Sequence, residues 1–283
     1  MVGATLLWGA TFVAARAILA QVGPVELVYA RFAVAAAVLG LVLLARRVMR
    51  GPTPAAAVRA ALAGGAWSGL LGAGGYLFQA VGLTHTSAGS SAFLTCVGTV
   101  LAALFAWPLL GQRPTRALLE GLALALGGSL LMSAGAGLAL GSGEAWTLLG
   151  AVVYALQIVA VARWATRADP LLMTALQALT LALTLWPFAG HAGARLASLD
   201  AAGRWRFAYL ALAGSVIAPL LQVLAQRTLS AGRTALLFAL EPVFGLLFAL
   251  TLGGERFALP WWLGAALILC GVARVEWPSR AAS

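Results

Sequence analysis

The sequence predicts an all-α polytopic membrane protein, with ten transmembrane helices arranged as two inverted five-helix repeats around a central cavity. The first observation behind this prediction is composition. Hydrophobic residues make up 62% of the 283-residue chain and charged residues only 9%, and the mean hydropathy is +0.97. Soluble domains carry roughly 25% charged residues. The other two observations are ten apolar segments of membrane-spanning length and an internal repeat.

The ten segments follow from the requirement that a helix needs about 20 apolar residues to cross roughly 30 Å of hydrocarbon. Charged and Gly/Pro-rich clusters divide the chain, and the short connections make successive helices antiparallel. No basic n-region or A-x-A-like cleavage site accompanies the first segment, so we expect a retained helix rather than a signal peptide. The predicted spans are residues 3–20, 24–45, 60–83, 87–109, 117–135, 146–165, 170–190, 205–226, 231–252 and 258–276.

The arginines predict the orientation of these spans. With a cytoplasmic N-terminus, twelve arginines fall at cytoplasmic ends and five at external ends. The positive-inside rule therefore predicts that both termini are cytoplasmic. The net charge of +10 is spread between apolar segments rather than along one basic face, which argues against a nucleic-acid partner.

A long internal repeat relates the two halves of the chain. Residues 76–113 align with residues 219–256 at a shift of 143, and near the start of each half the shift is 146. The repeat predicts a first unit at residues 1–135 and a second at 136–283. The matched positions are Gln79 and Gln222, SAG at 87–89 and 230–232, GQR at 111–113 and GER at 254–256, Gly121 and Gly264, Gly128 and Gly271, Trp8 and Tyr154, Thr11 and Gln157, and Pro24 and Pro170.

Because five is odd, the second repeat enters the membrane in the opposite direction to the first. Inverted repeats place a site at the midplane between the two halves, where it opens to either side by rocking or gating. Transport is the usual function of this arrangement, although channels and membrane enzymes also carry such repeats.

Polar and aromatic side chains inside the predicted spans recur at helical spacing, on faces expected to converge on an interior cavity. For each amide or tyrosine taken singly, an ordinary interhelical hydrogen bond is the competing interpretation. The candidate gating or kink residues are Pro219, Pro242 and Gly245. The candidate cavity residues are Trp8, Thr11, Tyr76, Gln79, Ser91, Thr95, Tyr154, Gln157, Gln222, Phe238 and Glu241.

Glu241 stands out because it lies about ten residues into the ninth span, hence about 15 Å deep at 1.5 Å per residue. A carboxyl group at that depth is one that can take up and release a proton near neutral pH or attract a substrate ammonium. The alternative is a protonated Glu241 bonded to a neighbour or to a carbonyl freed by Pro242.

Other side chains restrict the classes of cargo, cofactor and partner that we expect. Arg31, inside the second span, is expected to pair with Glu26 or to extend outward, and its repeat counterpart Gln177 leaves no symmetric basic pair for a phosphate. The two cysteines and two histidines fit no metal or disulfide spacing, and no cofactor is expected. The expected partners are a small-molecule substrate, the lipid bilayer and, as a further candidate, protons.

Three stretches carry a resemblance to a known family. LLWGATFVAARAI near the start, YLFQAVGLTHTSAGSSAFL in the first half, and TALLFALEPVFGLLFALTLGGERF with the trailing WLGAALILCGV resemble the EamA-type branch of the drug/metabolite transporter superfamily. The resemblance covers essentially the whole chain and implies a ten-helix exporter of small organic metabolites. Thr99 and Gln112 depart from it, since the family often has Pro and Glu there.

The sequence is also similar to the aromatic and neutral amino-acid exporters, whose cavities are rich in aromatic residues. That similarity implies a secondary exporter of amino acids in a bacterial inner membrane, driven by proton exchange or acting as a facilitator of other metabolites or drugs. A membrane enzyme is disfavoured because no Ser/His/Asp set, H-E-x-x-H motif or carboxylate cluster appears. A passive channel is disfavoured by the lack of a charged ring or filter sequence.

Overall fold

The computed structural model describes residues 1–133, 141–253 and 258–277, without the side chains of residues 50, 88–89, 249 and 251–253. The predicted boundary between the repeats, at residues 135 and 136, and the GER motif at residues 254–256 lie outside the described residues. Fourteen α-helices occupy the described part of the chain. They are α1 (Val2–Gly9), α2 (Thr11–Leu19), α3 (Pro24–Arg50), α4 (Ala55–His85), α5 (Ala88–Leu110), α6 (Arg116–Ser133), α7 (Ser142–Ala165), α8 (Pro170–Leu185), α9 (Ala192–Ala197), α10 (Ala201–Leu212), α11 (Ala218–Ala225), α12 (Ala231–Phe238), α13 (Glu241–Gly253) and α14 (Leu259–Glu276).

These helices account for the ten predicted spans. Nine continuous or interrupted helices in the described residues are long and apolar enough to cross a membrane. The remaining predicted span, residues 60–83, is α4, whose 31 residues exceed the length required at 1.5 Å per residue. Seven of them are glycine, which lowers the hydropathy of α4 and lets it pack closely on α7 and α8. The protein is thus a multi-pass membrane protein.

Repeated sequence motifs start equivalent helices in the two halves. The serines of the two SAG motifs are N-caps: the Ser87 side chain accepts a hydrogen bond from the Ser90 N–H, and that of Ser230 accepts one from the Arg233 N–H. Pro24 and Pro170 open α3 and α8, where a missing N–H costs nothing. The repeat is therefore one of local structure as well as of sequence.

The last helices of the two repeats, α6 and α14, cross at their matched glycines. A side chain on Gly121 would lie 2.7 Å from the Gly271 carbonyl oxygen, and one on Gly128 would lie even closer to the Gly264 carbonyl oxygen. Gly121 faces Gly271 and Gly128 faces Gly264, so the two helices run antiparallel. The repeat relates Gly121 to Gly264 and Gly128 to Gly271, so it converts one contact into the other. A two-fold axis between the two helices requires this relation. This reciprocal contact is the signature of an inverted repeat.

Three spans that reach the centre of the bundle are interrupted there. The first breaks at Ala10, between α1 and α2, and the ninth breaks at residues 239–240, between α12 and α13. The eighth contains a π-helical turn, Ala213–Ile217, between α10 and α11. Interrupted helices at membrane depth are tolerated where protein or a cavity satisfies the freed backbone groups.

Ion pairs join helix ends that the arginine count places on one side of the membrane. Arg46 at the end of α3 binds Asp169 at 2.8 Å, just before α8. Near α14, Arg274 binds Glu120 at 2.9 Å, and Arg233 binds Glu276. All six residues belong to ends predicted to be cytoplasmic, so the pairing agrees with the predicted alternation of the helices.

Candidate functional site

A central cavity lies between the two repeats. The free space inside it is about 70 Å³, and the space between its walls is about 720 Å³ when the open region continuous with the outside is counted. Helices of both repeats form its wall. The lining residues are Trp8, Thr11, Phe12, Tyr76, Gln79, Ala92, Thr95, Cys96, Gly98, Thr99, Tyr154, Gln157, Ile158, Gln222, Phe238, Glu241 and Pro242.

Ten of the eleven candidate cavity residues, all within the described residues, lie in this wall. The exception is Ser91, which is fully buried in α5 with no hydrogen-bond partner for its hydroxyl. Repeat-related residues lie in the wall as pairs: Trp8 with Tyr154, Thr11 with Gln157, and Gln79 with Gln222. The cavity therefore has approximate two-fold symmetry. Sequence reasoning missed its small and apolar members, such as Ala92, Gly98 and Ile158, which carry no polar signal.

Glu241 begins α13, directly after the break in the ninth span. Pro242 has no N–H to bond with the Phe238 carbonyl, and α12 ends at Phe238. Within the described residues the Glu241 side chain forms no hydrogen bond and no ion pair, and it faces the cavity. The alternative in which Glu241 serves as a hydrogen-bond partner of its own kink is not the arrangement in this structure.

The other two candidate kink residues lie outside the cavity wall. Gly245 packs against the first span, where a side chain on it would lie 3.4 Å from the Gly9 carbonyl oxygen. A side chain on Gly9 would in turn lie 2.9 Å from the Glu241 carbonyl oxygen, so the two glycines allow the broken helices to cross closely. Pro219 is buried in the first turn of α11, directly after the π-helical turn.

Buried amides form a network at the cavity wall. The Gln222 amide donates to the Gln157 side chain at 3.2 Å and to the Gln226 side chain at 3.1 Å. Gln226 completes the chain by donating to the Ile158 carbonyl at 2.9 Å. Because the amides satisfy one another, they hold α7 and α11 together at the cavity wall.

A second set of hydrogen-bonded side chains, from α4, α5 and α7, also lies in the cavity wall. The Tyr154 hydroxyl donates to the Gln79 side chain at 3.3 Å, and Gln79 donates to the Thr95 hydroxyl at 3.0 Å. The Tyr154 ring meets the Tyr76 ring edge to face, with centroids 5.2 Å apart. These contacts fix the aromatic side chains in position around the cavity.

Trp8 connects the cavity to the π-helical turn. Its indole N–H donates to the Gly214 carbonyl at 3.0 Å, and its ring stacks on Phe238 with centroids 5.1 Å apart. The turn exposes this carbonyl at the centre of the eighth span, as π-bulges often do at functional sites. Trp67 and Trp107, two other tryptophans inside the predicted spans, are exposed on the outer surface of the bundle.

Arg31 lies beside this turn, in neither of the two positions expected from the sequence. It is 5% exposed, and its Nε donates to the Ser215 hydroxyl at 2.7 Å. Glu26 instead lies against Gly23 at the start of α3. The structure thus corrects both the expected Arg31–Glu26 pair and the outward extension of the arginine.

The two departures from the family pattern have local roles. Thr99 lines the cavity, as does its repeat counterpart Pro242, and donates to the Cys96 carbonyl at 2.7 Å. The Gln112 side chain accepts a hydrogen bond from the Ala231 N–H at 3.0 Å, which ties the first repeat to the start of α12. Glu144, two residues before the sixth predicted span, lies buried in the first turn of α7 and accepts a hydrogen bond from Thr86.

The chain matches the EamA-like transporter family over residues 1–134 and again over residues 141–276, one match for each repeat. It belongs to that family. As a member of this family, the chain belongs to the drug/metabolite transporter superfamily, as the resemblance implied. Membership in the family identifies it as a transporter.

Two further comparisons agree with this assignment. An uncharacterized transporter of Archaeoglobus fulgidus is 25% identical over 202 residues, which span 71% of this chain and 65% of that protein. The match thus covers less than two thirds of the relative's length. A protein of known crystal structure superposes with a TM-score of 0.76 over 99% of this chain and 98% of its own, at 22% identity, a likeness that shows the fold.

Proposed function

We propose that this EamA-like transporter exports small amphipathic metabolites, with neutral and aromatic amino acids as the cargo class, by alternating access. The observation that carries the proposal is Glu241, an unpartnered carboxyl group in a cavity of aromatic and amide side chains between inverted repeats. Burying a carboxyl group without a partner is costly, and intramembrane carboxyl groups that persist serve ion or substrate pathways.

Each group of the cavity wall matches part of such a cargo. The stacked Trp8 and Phe238 rings offer an apolar surface for an aromatic or aliphatic side chain. Glu241 attracts an ammonium group when it is ionised and releases it when it is protonated. Proton binding and cargo binding at one carboxyl group exclude each other, which is the basis of exchange transport. No reaction is needed, and we propose that the protein is not an enzyme.

The breaks in the spans supply the moving parts of the proposed cycle. The first and ninth spans cross at Gly9 and Gly245, beside the breaks at Ala10 and at residues 239–240. Breaks of this kind let one half of a helix tilt against the other while the site stays in place. Tilting of α13 against α12 would open Glu241 first to one side of the membrane and then to the other.

The test is flux through proteoliposomes. Purified protein in sealed liposomes is expected to move phenylalanine, leucine and tryptophan faster than empty liposomes do, and an opposing pH gradient is expected to accelerate the movement. Acceleration by the gradient supports proton exchange, whereas equal rates with and without it identify a facilitator. No flux of any amino acid in the panel would contradict the proposed cargo class.

We further propose a bacterial inner-membrane location with both termini in the cytoplasm, because arginines concentrate at those ends and ion pairs join them. Reporter fusions truncated after Arg50 and after Arg195 are expected to report the cytoplasm and the exterior, respectively. Two reporters on the same side would contradict this orientation.

A further inference from the structure

Arg31 is a buried cation that the proposed transport cycle has not yet used. A guanidinium group stays charged in proteins, and a buried charge normally has a carboxylate partner. In the described part of the chain, Arg31 makes no ion pair with any Asp or Glu. Its one hydrogen bond, from Nε to the Ser215 hydroxyl, leaves the terminal nitrogen Nη2 buried and unbonded.

The guanidinium group is held in a fixed position. Its central carbon lies 5.1 Å from the centre of the Tyr76 ring and 5.3 Å from that of Phe32, so aromatic rings pack around it. The Ser215 hydroxyl is itself anchored by donating to the Leu210 carbonyl at 2.9 Å. Ring contacts and one hydrogen bond thus orient the group and leave Nη2 as a donor without an acceptor.

Nη2 lies next to the cavity wall. The first carbon of a side chain on Gly214 would lie 2.8 Å from Nη2 and 3.0 Å from the Thr11 methyl group. Nη2 of Arg31 and the methyl group of Thr11 are therefore neighbours on either side of Gly214. Thr11 and Tyr76 line the cavity, and the Gly214 carbonyl bonds the cavity residue Trp8. The unbonded donor therefore lies one side chain away from the space that a cargo would occupy.

We propose that Arg31 is the carboxylate-binding group of the cavity, so that the cargo is a zwitterion with one carboxylate. The proposal rests on the proposed transport function and adds the part of the cargo that Arg31 recognises. The cargo carboxylate would accept from Nη2, and Trp8 and Phe238 would cover its side chain. Its ammonium group would face Glu241. Since the second repeat has Gln177 where the first has Arg31, the cavity has one cationic end and binds a single carboxylate.

The first test compares L-phenylalanine with phenethylamine, which lacks only the carboxylate, in proteoliposome flux. For Arg31→Gln we expect phenylalanine flux to fall at least about tenfold, the loss expected for one charge-assisted hydrogen bond, and phenethylamine flux to stay within about twofold. Arg31→Lys keeps the charge and is expected to fall between wild type and Arg31→Gln. Arg16→Gln, an exposed arginine on α2, is the matched control and is expected to leave both fluxes unchanged.

Equal losses of both fluxes in Arg31→Gln, or unchanged phenylalanine flux, would overturn the proposal. A second measurement separates it from the proposed cargo class, should the wild-type protein move neither probe. Phenylacetate is expected to raise the melting temperature of detergent-solubilised wild-type protein more than benzyl alcohol does, and to do so in Arg16→Gln but not in Arg31→Gln. Absence of this carboxylate effect in wild type, or its persistence in Arg31→Gln, would overturn the assignment of Arg31.

Discussion

Glu241→Gln is expected to make amino-acid flux slow and independent of pH between pH 5 and 8. Glutamine keeps the shape of the side chain but can neither ionise nor release a proton. A charge at this depth in a membrane costs at least a few kcal/mol, so its presence or absence decides which groups the cavity binds. Because each 1.36 kcal/mol corresponds to a factor of ten in rate, we expect the amino-acid flux to fall at least about tenfold.

The matched control for this substitution is Glu120→Gln, which removes a carboxylate from an ion pair at a helix end, remote from the cavity. It is expected to retain the wild-type dependence on pH. Wild-type flux at every pH in Glu241→Gln would contradict a role for the charge and leave Glu241 as a polar residue of the wall. Folding of both variants is checked by gel filtration in detergent before flux is compared.

Gly128→Leu is expected to prevent assembly of the helix bundle, whereas Gly127→Leu is expected to be tolerated. A side chain on Gly128 would run into the Gly264 carbonyl oxygen and lie 2.9 Å from the Ile268 side chain, and backbone cannot move aside cheaply. At Gly127, one residue along the same helix, nothing lies within 4 Å. Overpacking typically costs about 1–3 kcal/mol, and a clash with backbone is expected to exceed that range.

Gel filtration and thermal unfolding in detergent distinguish the two leucine variants. We expect Gly127→Leu to elute and melt as the wild-type protein does. Gly128→Leu is expected to aggregate or to melt far below wild type. Equal behaviour of the two variants would show that α6 and α14 do not cross at these glycines, and the inverted arrangement would lose its main contact.

The sequence predicted the elements whose signals are local or repeated. Pro24 and Pro170 start helices because proline at that position sacrifices no hydrogen bond, and Ser87 and Ser230 cap helices for the same local reason. The Glu-Pro pair at residues 241–242 indicated an interrupted helix, and α13 begins there. Because the two halves repeat, a prediction made for a helix of one half also applied to its counterpart in the other half.

Other features depend on tertiary contacts that one sequence does not contain. Arg31 and Glu26 are five residues apart, which places them about 140° apart around a helix, so they are poor partners even though they are close in sequence. The acceptor that Arg31 uses, Ser215, lies 184 residues away. Likewise, the π-helical turn before Pro219 and the burial of Ser91 follow from packing between spans, and helical spacing alone assigned both residues to the site.

We expect transport by this protein to depend on the exchange of cargo and protons at Glu241 in the cavity between the repeats. Accumulation of phenylalanine in sealed proteoliposomes under an imposed pH gradient tests this claim. Wild-type protein is expected to concentrate phenylalanine above its external level while the gradient lasts, and Glu241→Gln is expected to reach at most equal concentrations on both sides. Accumulation by Glu241→Gln to the wild-type level would contradict the claim.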